Sequence, residues 1–119
     1  LDLAMGHVNV IWQGDANEVA LRALLHCSTP PTVFNVTGPE TASVRSLAVR
    51  LGARMGTEPR FVGEEASSAL LNDASRSHAL FGYPSVALDT MLDWVAAWVA
   101  AGGETSGKPT KFQVRTGAF

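Results

Sequence analysis

The sequence predicts a small α/β fold. Two observations carry that expectation. Short runs rich in β-branched and aromatic residues, Val8 to Trp12 and Thr32 to Thr37, alternate with longer segments of helical periodicity. Glycine- or proline-containing breaks, such as Gln13-Gly14, Gly38-Pro39 and Gly102-Gly103, punctuate the alternation. A sheet covered by helices is the architecture that such a pattern builds. The 119 residues suit one domain.

The elements follow in order. Val8 to Trp12 (VNVIW) reads as a strand. Asp15 opens the first helix, with Glu18 three residues on in a capping-box arrangement. Val19, Leu21, Ala23, Leu24 and Leu25 give that helix its apolar side, and Pro30-Pro31 ends it. Thr32 to Thr37 (TVFNVT) is the clearest strand. The second helix spans Ser43 to Met55, with Val44, Leu47, Ala48 and Leu51 at helical spacing and Gly56 as its C′ residue. Arg60 to Val62 is a short third strand, and the polar stretch Glu64 to Ser68 is a loop. Asn72 or Asp73 caps a short helix through Leu80, stopped at Phe81-Gly82-Tyr83-Pro84. The last helix runs from Ala87 to Ala101, with Leu88, Met91, Leu92, Val95 and Val99 on one stripe beside Trp94 and Trp98. The order is β-α-β-α-β-α-α. Residues 1–103 form a single α/β domain, and 104–119 form an extended tail, docked by Phe112, Val114 and Phe119.

Composition narrows the function. The formal net charge of −2 gives no basic surplus for nucleic acid. The longest apolar stretch, Met91 to Ala101, is interrupted by Asp93 and is too short to span a bilayer. Asp2 stands where a signal peptide carries positive charge. The single cysteine, Cys27, forms no internal disulfide and suits the cytoplasm; a half-buried place at a helix end explains it better than a nucleophile.

Motifs with chemistry are scarce. His7, His26 and His78 lack the paired spacing of a zinc site and read as unrelated surface or helix-end histidines, so no metal is expected. Gly52 to Gly56 (GARMG) lies in and at the end of a helix, where glycines pack and cap. A phosphate-cradling loop sits instead between a strand and a helix N-terminus. Thr37-Gly38-Pro39 follows a strand but lacks the further glycines. No Gly-x-Ser-x-Gly elbow exists. Glu64-Glu65 can form a general acid/base pair or be simply solvated. Trp94 and Trp98 can stack a ligand, or serve as core or interface residues.

Three segments in series bear a family resemblance: VNVIWQGDANEVALRAL (Val8 to Leu24), TVFNVTGPETASVRSLAVRLGARMG (Thr32 to Gly56) and NDASRSHALFGYPSVALDTMLDWVAAWV (Asn72 to Val99). The first is similar to a strand-Asp-helix segment. The second is similar to a strand carrying Asn and ending in Gly, followed by a helix opened by Ser-Val. The third is similar to an Asp-x-Ser-basic helix with a Leu-Gly-aromatic turn, here Phe81-Gly82-Tyr83, and a tryptophan-bearing final helix. In that order and spacing, over about Val8 to Val99, they resemble the C-terminal side of the NAD-dependent epimerase/dehydratase family, the extended short-chain dehydrogenases/reductases.

The resemblance implies that residues 8–38 form the edge of a Rossmann-type sheet and that 39–103 form a small substrate-side region. It implies an oxidoreductase whose NAD or NADP is held by a missing N-terminal Rossmann portion, where a Tyr-x-x-x-Lys pair moves the proton. This chain has one tyrosine, Tyr83, with Ala87 four residues on, and no Gly-x-x-Gly-x-x-Gly. Alone it is therefore expected to bind no cofactor and to be inactive, with no catalytic residue. The family's nucleotide-sugar members hold the diphosphate with arginines. Those positions fall here on Val8 and Gly63, and an acidic and a tyrosine ligand position fall on Ala66 and Leu70. Glu64-Glu65 alongside repels a diphosphate. The expected substrate is a small non-nucleotide molecule, met by Trp12, Gln13, Glu64 and Glu65. An exposed Rossmann-facing edge predicts a homo-oligomer. The competing reading is a non-catalytic interaction module that keeps part of the fold.

Overall fold

The computed structural model describes residues 1–109 and 114–116. It is a mixed α/β structure with four α-helices and a two-stranded antiparallel sheet among the described residues. Strand β1 (His7–Val8) pairs with β2 (Ala42–Ser43), in the register His7 opposite Ser43 and Val8 opposite Ala42. The helices are α1 (Gln13–Ala23), extended by a 3-10 turn over Leu24–His26, then α2 (Val44–Met55), α3 (Ser75–Phe81) and α4 (Leu88–Ala100).

The strands depart most from expectation. Of Val8 to Trp12, only Val8 enters the ladder, although the Val10 carbonyl accepts from Gly38 N–H at 3.1 Å. Arg60 to Val62 contributes an isolated parallel bridge between Val62 and Asp2. Leu3 N–H donates to the Val62 carbonyl and Val62 N–H to that of Leu1, both at 3.0 Å. Leu3 is buried completely and Met5 almost so, and they join Ala42, Val44, Ala74, Phe81, Leu88, Leu92 and Ala96 in the core. Thr32 to Thr37 joins no ladder among the described residues. Its side chains nonetheless alternate: Thr32, Phe34 and Val36 are half-buried, while Val33 and Asn35 are exposed.

Helix α1 starts three residues earlier than the cap reading predicts. Trp12 is the N-cap, and its carbonyl accepts from Ala16 N–H at 3.1 Å. Asp15 sits inside the first turn and caps nothing in its own helix. Glu18 pairs with Arg22, one turn on, at 3.1 Å, so the capping box is not formed. The expected apolar side of α1 is split. Ala16, Val19 and Ala23 are half-buried, whereas Leu21, Leu24 and Leu25 face outward. Cys27 is exposed rather than half-buried.

Helix α2 matches its sequence signals. The Ser43 hydroxyl accepts from Ser46 N–H at 3.2 Å, and Gly56 closes the helix at φ 64°. The α4 stripe is rotated from the expected one. Leu88, Leu92 and Ala96 are buried, while Val95 and Val99 are exposed. Arg54 of α2 reaches Asp93 at 2.6 Å and Asp89 at 2.9 Å, and Arg50 also pairs with Asp89, fixing α2 against α4. In the tail, Val114 is half-buried, and Phe112 and Phe119 lie outside the described residues. Arg115 donates to the carbonyls of Ala4 (2.8 Å) and Ser68 (2.7 Å) and to the Ser68 hydroxyl (2.8 Å).

Candidate functional site

The polar side chains with chemistry converge where α3 meets the segment 32–38. Alternate residues of an extended chain direct their backbone groups to opposite edges. The Asn35 and Thr37 carbonyls therefore share one edge, and α3 closes it. Ser77 Oγ donates to the Asn35 carbonyl at 2.5 Å, and His78 Nε2 lies 2.9 Å from that of Thr37. Asn35 Nδ2 in turn donates to the Asp73 carbonyl at 3.0 Å. A carbonyl can only accept, so His78 Nε2 carries a proton and donates it there. The His78 ring lies 4.8 Å from that of Tyr83, across the turn that ends α3. Gly82, at φ 90°, makes that turn possible.

Two hollows meet at this His78–Tyr83 pair. A partly open cavity of about 160 Å³ lies between α1 and α3, over Val19, Val36 and Phe81, with Glu18 and Arg22 at its wall. Arg22 is spoken for there: it donates to the Phe81 carbonyl at 2.7 Å as well as pairing with Glu18. A larger open cleft of about 640 Å³ lies on the other side, between the Gly38-Pro39 turn and the start of α3. Asn9 builds its floor. Its amide donates to the Glu40 carbonyl at 3.1 Å and its Oδ1 accepts from Asn72 N–H at 2.9 Å. Asp73 Oδ1 accepts from Ser75 N–H at 2.9 Å; that backbone donor, ahead of the Ser75 side chain, holds the Asp73 carboxyl below its ordinary pKa.

Asp15 anchors the turn behind the pair. Its carboxylate accepts from the Ser85 hydroxyl (2.7 Å), Ser85 N–H (3.2 Å) and Val86 N–H (3.1 Å). The Ser85 hydroxyl is the foremost cause of its lowered pKa; burial opposes it, and the two backbone donors add to it.

The substrate contacts expected from sequence lie elsewhere. Trp12 packs edge-on against Trp94 of α4, with ring centroids 4.9 Å apart, and Gln13 is the exposed first residue of α1. Glu65 forms a two-pronged ion pair with Arg45, at 2.6 and 3.1 Å, which is the main cause of its lowered pKa. Glu64 is exposed. None of these four lines either hollow. Sequence reading missed the His78–Tyr83 pair. Its signal was a His and an aromatic flanking the Phe81-Gly82 stop.

Two of the glycines stand against backbone of the chain itself. A Cβ at Gly38 would lie 2.2 Å from the Val10 carbonyl oxygen, and one at Gly52 2.3 Å from that of Thr57, so both serve packing within the chain. Among the described residues no group of three or more His, Cys, Asp or Glu could hold a metal ion, and no helix is long and apolar enough to cross a membrane. Comparison with family models, with curated proteins and with solved structures finds no match to this chain.

Proposed function

We propose that the chain is the substrate-side portion of an NAD(P)-dependent oxidoreductase of the epimerase/dehydratase type. On this reading residues 8–38 complete the edge of a Rossmann-type sheet supplied by the missing N-terminal portion. The observation that carries the reading is the open edge of Thr32 to Thr37. Its other edge is closed by Ser77 and His78, and Gly38 N–H is met by Val10. The backbone groups of Phe34 and Val36 point the same way as those of Gly38, and they have no partner among the described residues. No Asp, Glu, Lys or Arg occurs from Leu24 to Pro39. Exposed edge strands are normally guarded by charge, and this one is built to be paired.

The division of labour follows. The cofactor, NAD or NADP, would supply hydride chemistry from the missing portion. The chain's own part is to bind and orient a small non-nucleotide substrate in the cleft beside His78, lined also by Asn9, Asn72, Asp73 and Tyr83. Tyr83 has no lysine near it in sequence and is not the proton-transfer tyrosine. The experiment is a pair of measurements. The reading frame extended upstream of Leu1 is expected to encode a glycine-rich βαβ unit and a Tyr-x-x-x-Lys pair, and its full-length product to reduce NAD or NADP. The 119-residue chain is expected to bind neither nucleotide. Micromolar NAD binding by the chain alone, or a start codon at Leu1, overturns the proposal, and the latter favours a non-catalytic interaction module recognised through the same strand edge.

A further inference from the structure

We infer that the open cleft beside α3 takes a neutral, polyhydroxylated small molecule of the size of a monosaccharide or cyclitol. The inference rests on the proposed substrate-side role and names the substrate class. Size is the first argument: about 640 Å³ lies within the range of small-ligand sites. Charge is the second. Among the described residues no lysine or arginine lines the cleft, and Asp73 does. A phosphorylated ligand would meet that carboxylate with no lysine or arginine among them to offset it. Arg115 approaches Ser68 from the C-terminal side, but it spends three N–H bonds on Ala4 and Ser68.

Hydrogen-bonding capacity is the third argument. The Asn72 side-chain amide, the Thr41 hydroxyl and the Tyr83 hydroxyl line the cleft and have no partner among the described residues. Each can both donate and accept, as a ligand hydroxyl can. His78, with Nε2 committed to the Thr37 carbonyl, keeps Nδ1 as a further polar atom at the cleft. The fourth argument is Tyr83, which is 74% exposed although its ring is oriented by His78. An aromatic ring held in place beside a cleft of mixed polar and apolar lining provides apolar area for the C–H face of a sugar ring while its hydroxyl stays wet.

The test is titration of the 119-residue chain, followed by backbone-amide NMR, with D-glucose, myo-inositol and D-glucose 6-phosphate. The neutral compounds are expected to shift Asn72, His78 and Tyr83 at millimolar concentrations. Glucose 6-phosphate is expected to bind at least about threefold more weakly. Tyr83→Ala and Asn72→Ala are each expected to weaken binding about fivefold or more. Both side chains are exposed, so far-ultraviolet circular dichroism should not change. Equal or tighter binding of the phosphate, unchanged affinity in Tyr83→Ala, or absence of shifts with both neutral compounds overturns the inference. None of these readouts needs NAD. Redox activity of the full-length product without sugar binding defeats the substrate class and leaves the proposed function standing. Sugar binding with no redox activity does the reverse.

Discussion

A carboxylate at position 15 can satisfy donors of its own helix or those of another segment, and the fold uses it for the second purpose. Asp15 is 7% exposed and ties α1 to the start of α4 through Ser85 and Val86, seventy positions on. Removing it leaves three donors short of an acceptor in a part-buried place. Hydrogen bonds to a charged group contribute about 1.5–3 kcal/mol, so Asp15→Ala should lose about that much in urea unfolding. The pH dependence has a definite sign. The folded pKa lies below the ordinary value of 3.8, so the contribution is present above that value and is lost as pH falls through the folded pKa. The stability gap between the chain and Asp15→Asn is therefore expected to be flat near neutrality and to narrow on acidification below 3.8. Gly52 offers a second test at this scale. Alanine is the better helix former by about 1 kcal/mol. Here, however, its Cβ would stand 2.3 Å from the Thr57 carbonyl oxygen, in the turn where Thr57 N–H bonds Gly52. Overpacking costs about 1–3 kcal/mol, so Gly52→Ala should lower the thermal midpoint despite its propensity.

Elements whose signals are local were legible, and elements that depend on distant partners were not. The cap and stop of α2, Ser43 and Gly56, act within a turn of the residues they serve; the expected end at Met55 agrees with the structure, and the expected start at Ser43 lies one residue before the first helical residue, Val44. A strand exists only by virtue of a partner, and the β-rich runs 8–12 and 32–37 find little of one among the described residues. The α4 stripe was misread because periodicity counts large apolar residues. The buried face takes in Ala96, a small one, while Val95 and Val99 turn out. The candidate cleft was hidden for a related reason. Trp12, Gln13, Glu64 and Glu65 stand out as residue types, whereas His78 and Tyr83 matter through the turn of α3 and the Thr37 carbonyl they face. That contact makes α3 a strap for the segment 32–37. Ser77 is 2% exposed and bonded to the Asn35 carbonyl at 2.5 Å. Ser77→Ala leaves that acceptor without its donor and should cost about 1–2 kcal/mol. It should also speed hydrogen exchange in α3 more than in α2, which hydrogen-exchange NMR can resolve.

At the scale of the whole molecule, the face that carries α1 and the open strand edge is the least finished surface. Leu21, Leu24 and Leu25 are 69, 67 and 87% exposed, and Val33, on the adjoining segment, is 76% exposed. Apolar side chains and unpaired backbone donors together favour association, the first through burial and the second through strand addition. The isolated chain is therefore expected to self-associate, with a weight-average mass in sedimentation equilibrium that rises over tens of micromolar, roughly the range where weak interfaces form. Two variants separate the contributions. Leu25→Lys places a charge on the α1 face and leaves the edge intact. Val33→Lys puts the guarding charge of a natural edge strand onto the segment itself. If the edge pairs between copies, Val33→Lys should return the chain to monomer, and the amides of Phe34 and Val36 should exchange slowly in the associated chain and fast in the variant. If only the apolar face associates, Leu25→Lys is the effective change and those two amides exchange fast throughout. A monomer at every concentration would mean that neither surface suffices to draw copies together, leaving the edge available to a strand of a different sequence.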